Sequence, residues 1–202
     1  MKETICELFQ VAYDRRWIST RDGNASFRCA NDTCYYVTPS GVRKNKLTPS
    51  MMIKMTAQSQ PEIRDDHLKP TGEILLHSML HTLPPSSSAS TSSRVVLHLH
   101  PTYTIAAMYA GIDLQKLARD FPEINRYTKV GPTVPIVPPV SAQLAHAAVA
   151  NLGLFAETGE VLYDIIGLDR HGIISVAEDP WTAFEHAERL EHIAQIALAA
   201  RN

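Results

Sequence analysis

Helices and short strands interleave irregularly along this chain, which predicts a three-layer α/β sandwich on a mixed sheet. Three observations carry that expectation. A long amphipathic helix begins at Pro180. An apolar strand over residues 94–100 is stopped by Pro101. The 202 residues, 45% of them hydrophobic, are enough to fill one core. No internal repeat divides the chain, so residues 1–202 are read as a single domain.

The elements follow in order. Ile5, Leu8, Phe9 and Ala12 recur every three or four residues within 3–17, with charges between them, as in an amphipathic helix. Arg21-Asp22-Gly23-Asn24-Ala25-Ser26 has turn chemistry and leads into a short strand over 26–28. Residues 35–38 form the returning strand, which ends at Pro39-Ser40-Gly41. Next come a helical turn at 47–50, a Met-rich strand at 51–55 and a polar loop at 57–70. Thr71 is placed to cap a helix running from Gly72 to about His81. Pro84, Pro85 and the serines through Ser93 predict an exposed loop over 84–93. Residues 102–110 predict a helix stopped by Gly111, and 120–139 a proline-punctuated loop with a short strand. Residues 142–152 predict a helix, and 162–166 and 173–176 are apolar strand segments. The last helix has Asp179 as its cap and Pro180 at its first position. Phe184, Ala187, Leu190, Ala194 and Ala197 make its apolar stripe, and Glu185 and Arg189 pair outside it.

Composition excludes several classes of function. With 19 basic and 21 acidic residues the chain has no bulk affinity for nucleic acid or a membrane surface. No apolar run of 18 residues occurs, and the start carries no apolar signal segment. The three cysteines, Cys6, Cys29 and Cys34, are an odd count without regular spacing, which suits a reducing cytoplasm.

The unusual feature is nine histidines. On a strand, residues two apart share a face, so His98 and His100 project side by side just before Pro101. Paired imidazoles suit a divalent transition metal; two histidines held by backbone hydrogen bonds are the bland alternative. A third ligand is needed, and the candidates are His67, His77, His81, His146, His171, His186 and His192. His171 sits in a turn, Asp169-Arg170-His171-Gly172, that can aim it at a pocket. His77 and His81, one turn apart, suit either a metal or a surface or interface role. His146 is read as structural, and His186 and His192 as members of a solvated face.

Glu73, in the first turn of its helix, is either an ordinary dipole-stabilised carboxylate or a general base beside the metal. Gly23-Asn24-Ala25-Ser26, Thr38-Pro39-Ser40-Gly41 and Thr71-Gly72 each offer N–H and O–H donors for an anion such as phosphate.

Taken together in this order, with Lys69-Pro70 before Thr71 and His77 after Glu73, these motifs resemble the class II aldolase/adducin-head family. That group holds fuculose- and rhamnulose-phosphate aldolases and ribulose-phosphate 4-epimerase. The resemblance covers roughly residues 5–200. It implies a three-layer α/β/α sandwich with a mixed, mainly antiparallel sheet and a homo-oligomer, a tetramer favoured. By motif it places the metal on His98, His100 and His171, with zinc first and manganese, cobalt or nickel as alternatives. It gives Glu73 the acid/base role and assigns Asn24, Ser40, Gly41, Thr71 and Gly72 to phosphate. The implied activity is a metal-dependent lyase cleaving a small ketose phosphate through a metal-stabilised enediolate. In the aldolases tyrosines assist; the sequence here ends at Asn202 just after the last helix, which leaves Tyr127 as the tyrosine candidate. Thr71-Gly72 stands where sugar-phosphate aldolases show two serines. The Lys69-Pro70 lead-in also resembles methylthioribulose-phosphate dehydratases, so dehydration is the alternative, ahead of decarboxylation or epimerisation. Adducin heads, which keep the fold as a structural module, lose the metal histidines that this chain retains.

Overall fold

The computed structural model describes residues 1–63, 67–82 and 92–201. Six strands form one sheet in the order β3-β2-β1-β4-β6-β5, with β1 Asn24–Arg28, β2 Tyr35–Val37, β3 Ile53–Met55, β4 Arg94–Leu99, β5 Ile165–Leu168 and β6 Gly172–Ala177. Every pair of named strands is antiparallel. Among the described residues the parallel component is limited to two bridges at the β5 edge, Val130–Ile165 and Val134–Leu168. The helices are α1 Lys2–Asp14, α2 Ile74–His81, α3 Thr102–Tyr109, α4 Leu114–Asp120, α5 Pro122–Tyr127, α6 Ala142–Leu152 and α7 Pro180–Ala199.

Strand periodicity sorts side chains into two layers. The odd positions of β1 and β4, Ala25, Phe27, Val95, Leu97 and Leu99, join a core with α1 and α7. There Trp17 stacks on Phe184 with ring centres 5.1 Å apart. The even positions turn to the other face, where Val96 packs with Leu76 and Leu80 of α2 and Leu144, Ala148 and Leu152 of α6. Helix α7 fits its sequence signals: Asp179 accepts from the Thr182 backbone N–H at 3.0 Å, Pro180 opens the helix and the predicted stripe is buried from Phe184 to Ala194, with Ala197 partly buried. Helix α6 likewise begins on a cap, Ser141, and ends at Gly153 in a left-handed conformation.

Three expectations change. Helix α2 starts at Ile74, with Glu73 in the cap position, because the preceding segment is held extended. The Ser40 N–H bonds the Lys69 carbonyl and the Thr71 N–H bonds the Thr38 carbonyl, so the chain cannot coil until after Thr71. Pro49–Met51 forms a 3-10 turn, which delays β3 to Ile53. The loop expected over 120–139 contains α5, begun by Pro122 at its first turn, with α4 before it capped by Asp113. Of the serine-rich loop predicted over 84–93, residues 84–91 lie outside the described residues.

Candidate active site

Strand β4 and the residue that follows it present His98 and His100 on the side facing α2. Opposite them, β5 and β6 are joined by a three-residue turn, Asp169-Arg170-His171, closed by the His171 N–H to the Leu168 carbonyl at 2.9 Å. Arg170 takes a positive φ of 57° there, and the turn aims His171 back at β4. Ligand nitrogens of His98, His100 and His171 all lie within 4.8 Å of one another. Gly172 makes this approach possible: a Cβ there would stand 2.4 Å from the Leu99 carbonyl oxygen and 2.7 Å from the His100 ring.

The three rings are arranged as ligands. His98 Nδ1 lies 2.9 Å from the Ile173 carbonyl, to which it donates, and this leaves Nε2 bare and turned to the cluster. The His100 and His98 Nε2 atoms are 2.9 Å apart. Burial, then the neighbouring His98 and His171, pushes His100 down to about 3; burial also lowers His171. Neutral imidazoles are the form that binds a divalent ion, so the donor set fits such an ion and leaves further coordination positions open.

Glu73 Oε2 lies 3.5 Å from His98 Nε2. Burial alone would raise the Glu73 carboxyl, but His98, a hydrogen bond from Asn24, and His77 and His171 outweigh it, and the group titrates below its ordinary value. Asn24 Nδ2 donates to Oε2 at 2.8 Å. Gly23, at φ 74°, lets β1 begin this close to β4, since a Cβ there would stand 3.0 Å from the His98 carbonyl oxygen.

A cavity of about 160 Å³ opens onto these groups. His98, His100, His171 and Glu73 line it together with Asn24, Ser40, Gly41, Thr71 and Gly72, so every predicted metal, acid/base and anion residue meets in one place. Tyr127 is outside it. That ring lies on α5, 48% exposed, with the Arg126 and Arg189 guanidinium groups over it.

The cavity also contains residues that the sequence reading passed over: Arg21, Asp22, Lys44, Pro139 and Val140. Lys44 stands out, a lysine only 2% exposed whose ammonium donates to the Pro39 carbonyl at 3.0 Å. Burial pushes it down to about 8, with Asp22 opposing and Arg21 adding to the shift. Its sequence signal is faint, one charge among several in a 3-10 turn at Lys44–Lys46.

Other histidines fall differently from their sequence reading. His81 is buried rather than on the surface, because its ring stacks on Tyr35 at 4.7 Å and bonds Ser26. His186 is buried against Thr128 instead of solvated, since α5 covers that side of α7. His146, read as structural, is exposed, whereas His192 is exposed in keeping with its reading as part of a solvated face.

Comparison with known proteins agrees with this fold. The family model described as "Class II Aldolase and Adducin N-terminal domain" matches residues 3–198. An L-fuculose phosphate aldolase of Methanococcus maripaludis is 29% identical over 198 residues, covering 98% of this chain and 94% of that protein. A methylthioribulose-1-phosphate dehydratase of Komagataella phaffii is 22% identical, covering 96% and 80%. Among solved structures, YgbL of Klebsiella pneumoniae superposes with a TM-score of 0.77 at 23% identity, over 100% of this chain and 89% of that one. The L-fuculose-1-phosphate aldolase of Thermus thermophilus gives 0.72 at 20% identity, over 98% and 93%.

Proposed function

The chain belongs to the class II aldolase and adducin N-terminal domain family and is a metal-dependent lyase of aldolase type; on that premise we propose that it cleaves a small ketose phosphate reversibly into two carbonyl fragments. One observation carries the reading: three imidazoles within 4.8 Å share a cavity with a carboxylate 3.5 Å from one of them. His98, His100 and His171 would hold one divalent ion, zinc by preference for three imidazoles. Such an ion supplies Lewis acidity to the carbonyl oxygen of the substrate.

This chain's own residues do the rest. Glu73, held as a carboxylate, removes the proton from the carbon beside the carbonyl in the condensation direction. In cleavage it returns that proton to the same carbon. Ser40, Gly41, Thr71 and Gly72 present hydroxyl and amide donors to the phosphate, and the Lys44 ammonium supplies the charge. The hydroxyl of the departing fragment needs its own proton acceptor. Tyr127, exposed on α5, serves that role only from a neighbouring copy, which is consistent with a homotetramer. Among the described residues no helix is long and apolar enough to cross a membrane, and the thiols of Cys6, Cys29 and Cys34 are free, as suits a cytoplasmic enzyme.

Elimination of water from a methylthioribulose-phosphate-like substrate is the second reading. The dehydratase similarity and the Lys69-Pro70 lead-in favour it. A panel of ketose 1-phosphates, assayed separately for aldehyde release and for a dehydrated diketone, decides. Aldehyde release supports cleavage. The diketone alone overturns it in favour of dehydration.

A further inference from the structure

Helix α2, its cap residue Glu73 and strand β1 share a buried polar row of which the reaction itself uses only Glu73. Glu73, His77 and His81 recur every four residues on one helix face, and Asn24 and Ser26 alternate on one strand face. The two sets interdigitate as Glu73–Asn24–His77–Ser26–His81, and no member is more than 8% exposed. The links are Asn24 Nδ2 to Glu73 Oε2 at 2.8 Å, His77 Nε2 to Asn24 Oδ1 at 2.5 Å, Ser26 Oγ to His77 Nδ1 at 2.6 Å and His81 Nε2 to Ser26 Oγ at 2.7 Å.

The carboxylate sets the direction of every link. It can only accept, so the Asn24 NH2 must face it and the Asn24 oxygen must face His77. His77 then donates through Nε2–H, which leaves Nδ1 bare, so the Ser26 hydroxyl donates to Nδ1. Ser26 in turn accepts from His81 Nε2–H. His81 Nδ1 ends the row with no hydrogen-bond partner among the described residues. Turning the Asn24 amide over would put two acceptors face to face at Glu73, a buried mismatch that no tautomer of His77 repairs. Burial keeps both rings neutral: His77 is pushed down to about 4, and His81, beside His77, Arg94 and Arg28, well below its ordinary value. An amide in the middle of the row does not relay protons, so the row orients rather than conducts.

We propose that Ser26, His77 and His81 are positioning residues, which through Asn24 lock Glu73 with Oε2 beside His98 and keep Oε1 for proton transfer. Oε1 accepts no hydrogen bond from any described residue, which leaves it as the working oxygen. The proposal rests on Glu73 as the acid/base group, yet its first test needs no turnover.

Histidine 15N spectra of the full-length protein report tautomers directly. His77 and His81 are expected as neutral Nε2–H rings near pH 7. An Nδ1–H form or an averaging ring at His77 overturns the row. The second test compares two substitutions. His77→Gln places its amide N–H where Nε2–H was, and His77→Asn mimics only Nδ1. Expected for His77→Asn is a kcat loss of roughly 10- to 100-fold with KM and metal content unchanged, largely restored in His77→Gln. Equal losses in both variants, or a loss confined to KM, overturn the positioning role. A wild type inactive on every ketose phosphate would count against the proposed function, while the tautomer result would still decide the row.

Discussion

The two faces of the sheet solve opposite problems with the same strands. Toward α1 and α7, β1 and β4 present Ala25, Phe27, Val95, Leu97 and Leu99 to a dry core. Toward α2 they present Asn24, Ser26 and His98, all buried and all hydrogen-bonded. The dry face contributes stability through burial of apolar surface. The polar face must satisfy every donor and acceptor or lose stability, and it concentrates its groups where the cavity opens. The α2 face keeps an apolar cluster of its own around Val96, Leu76 and Leu144, but the polar cavity groups lie on that face alone, so substitutions in the α1/α7 core are expected to be separable from substitutions at the site.

The largest effect should come from the polar face without any loss of fold. Glu73→Gln keeps shape and metal content but removes the base, and kcat should fall by roughly 100-fold or more. Retained turnover would remove Glu73 from the mechanism. The dry face gives the mirror result. Phe184→Ala deletes a ring that is 1% exposed and stacked on Trp17, and should lower unfolding stability by about 3–5 kcal/mol in denaturant titration. Residual folded protein should keep its metal. A loss of metal at conditions where the variant stays folded would break the separation.

Acid should distinguish the faces too. His77 titrates at about 4 when folded against an ordinary value of 6.5, so between those values the unfolded chain binds more protons. Stability is therefore full above about 6.5 and falls as the pH drops toward 4, with His81 acting in the same direction. Denaturation midpoints at pH 7.5 and 5 should show the drop, and it should shrink in His77→Gln. A smaller effect belongs to the cavity wall. With Lys44 at about 8, KM for a phosphorylated substrate should rise above that pH, and Lys44→Met should raise it about tenfold and flatten the dependence. The smallest effect is Asp179→Ala, which removes the α7 cap and should cost about 1 kcal/mol with no change in KM.

Legibility in the sequence follows the same division. Helices with local punctuation are readable: Pro180 after Asp179 marks α7, and the small-residue run from Ala142 marks α6. The start of α2 is not, because what delays it is pairing between 38–40 and 69–71, which are far apart in the chain. The His98-Leu99-His100 pair is visible from strand periodicity. His171 is a ligand candidate through its turn, but only the β5–β6 pairing brings it to β4. His81 reads as open between a metal ligand and a surface or interface role because the four-residue spacing of Glu73, His77 and His81 is that of an ordinary helix face. The strand partners of this helix face, Asn24 for Glu73 and Ser26 for His81, lie about 50 residues earlier, at separations of 49 and 55. Lys44 is hidden for the same reason: nothing local distinguishes a lysine folded into a cavity from its solvated neighbours.

The central claim is that His98, His100 and His171 form one metal centre. Metal content of the purified protein, measured by plasma mass spectrometry beside the folded variants His98→Ala, His100→Ala and His171→Ala, tests it most directly. About one divalent ion per chain is expected in the wild type, with its loss in each variant. A wild type that stays metal-free after exposure to zinc, manganese, cobalt and nickel, or variants that all retain the ion, would contradict it.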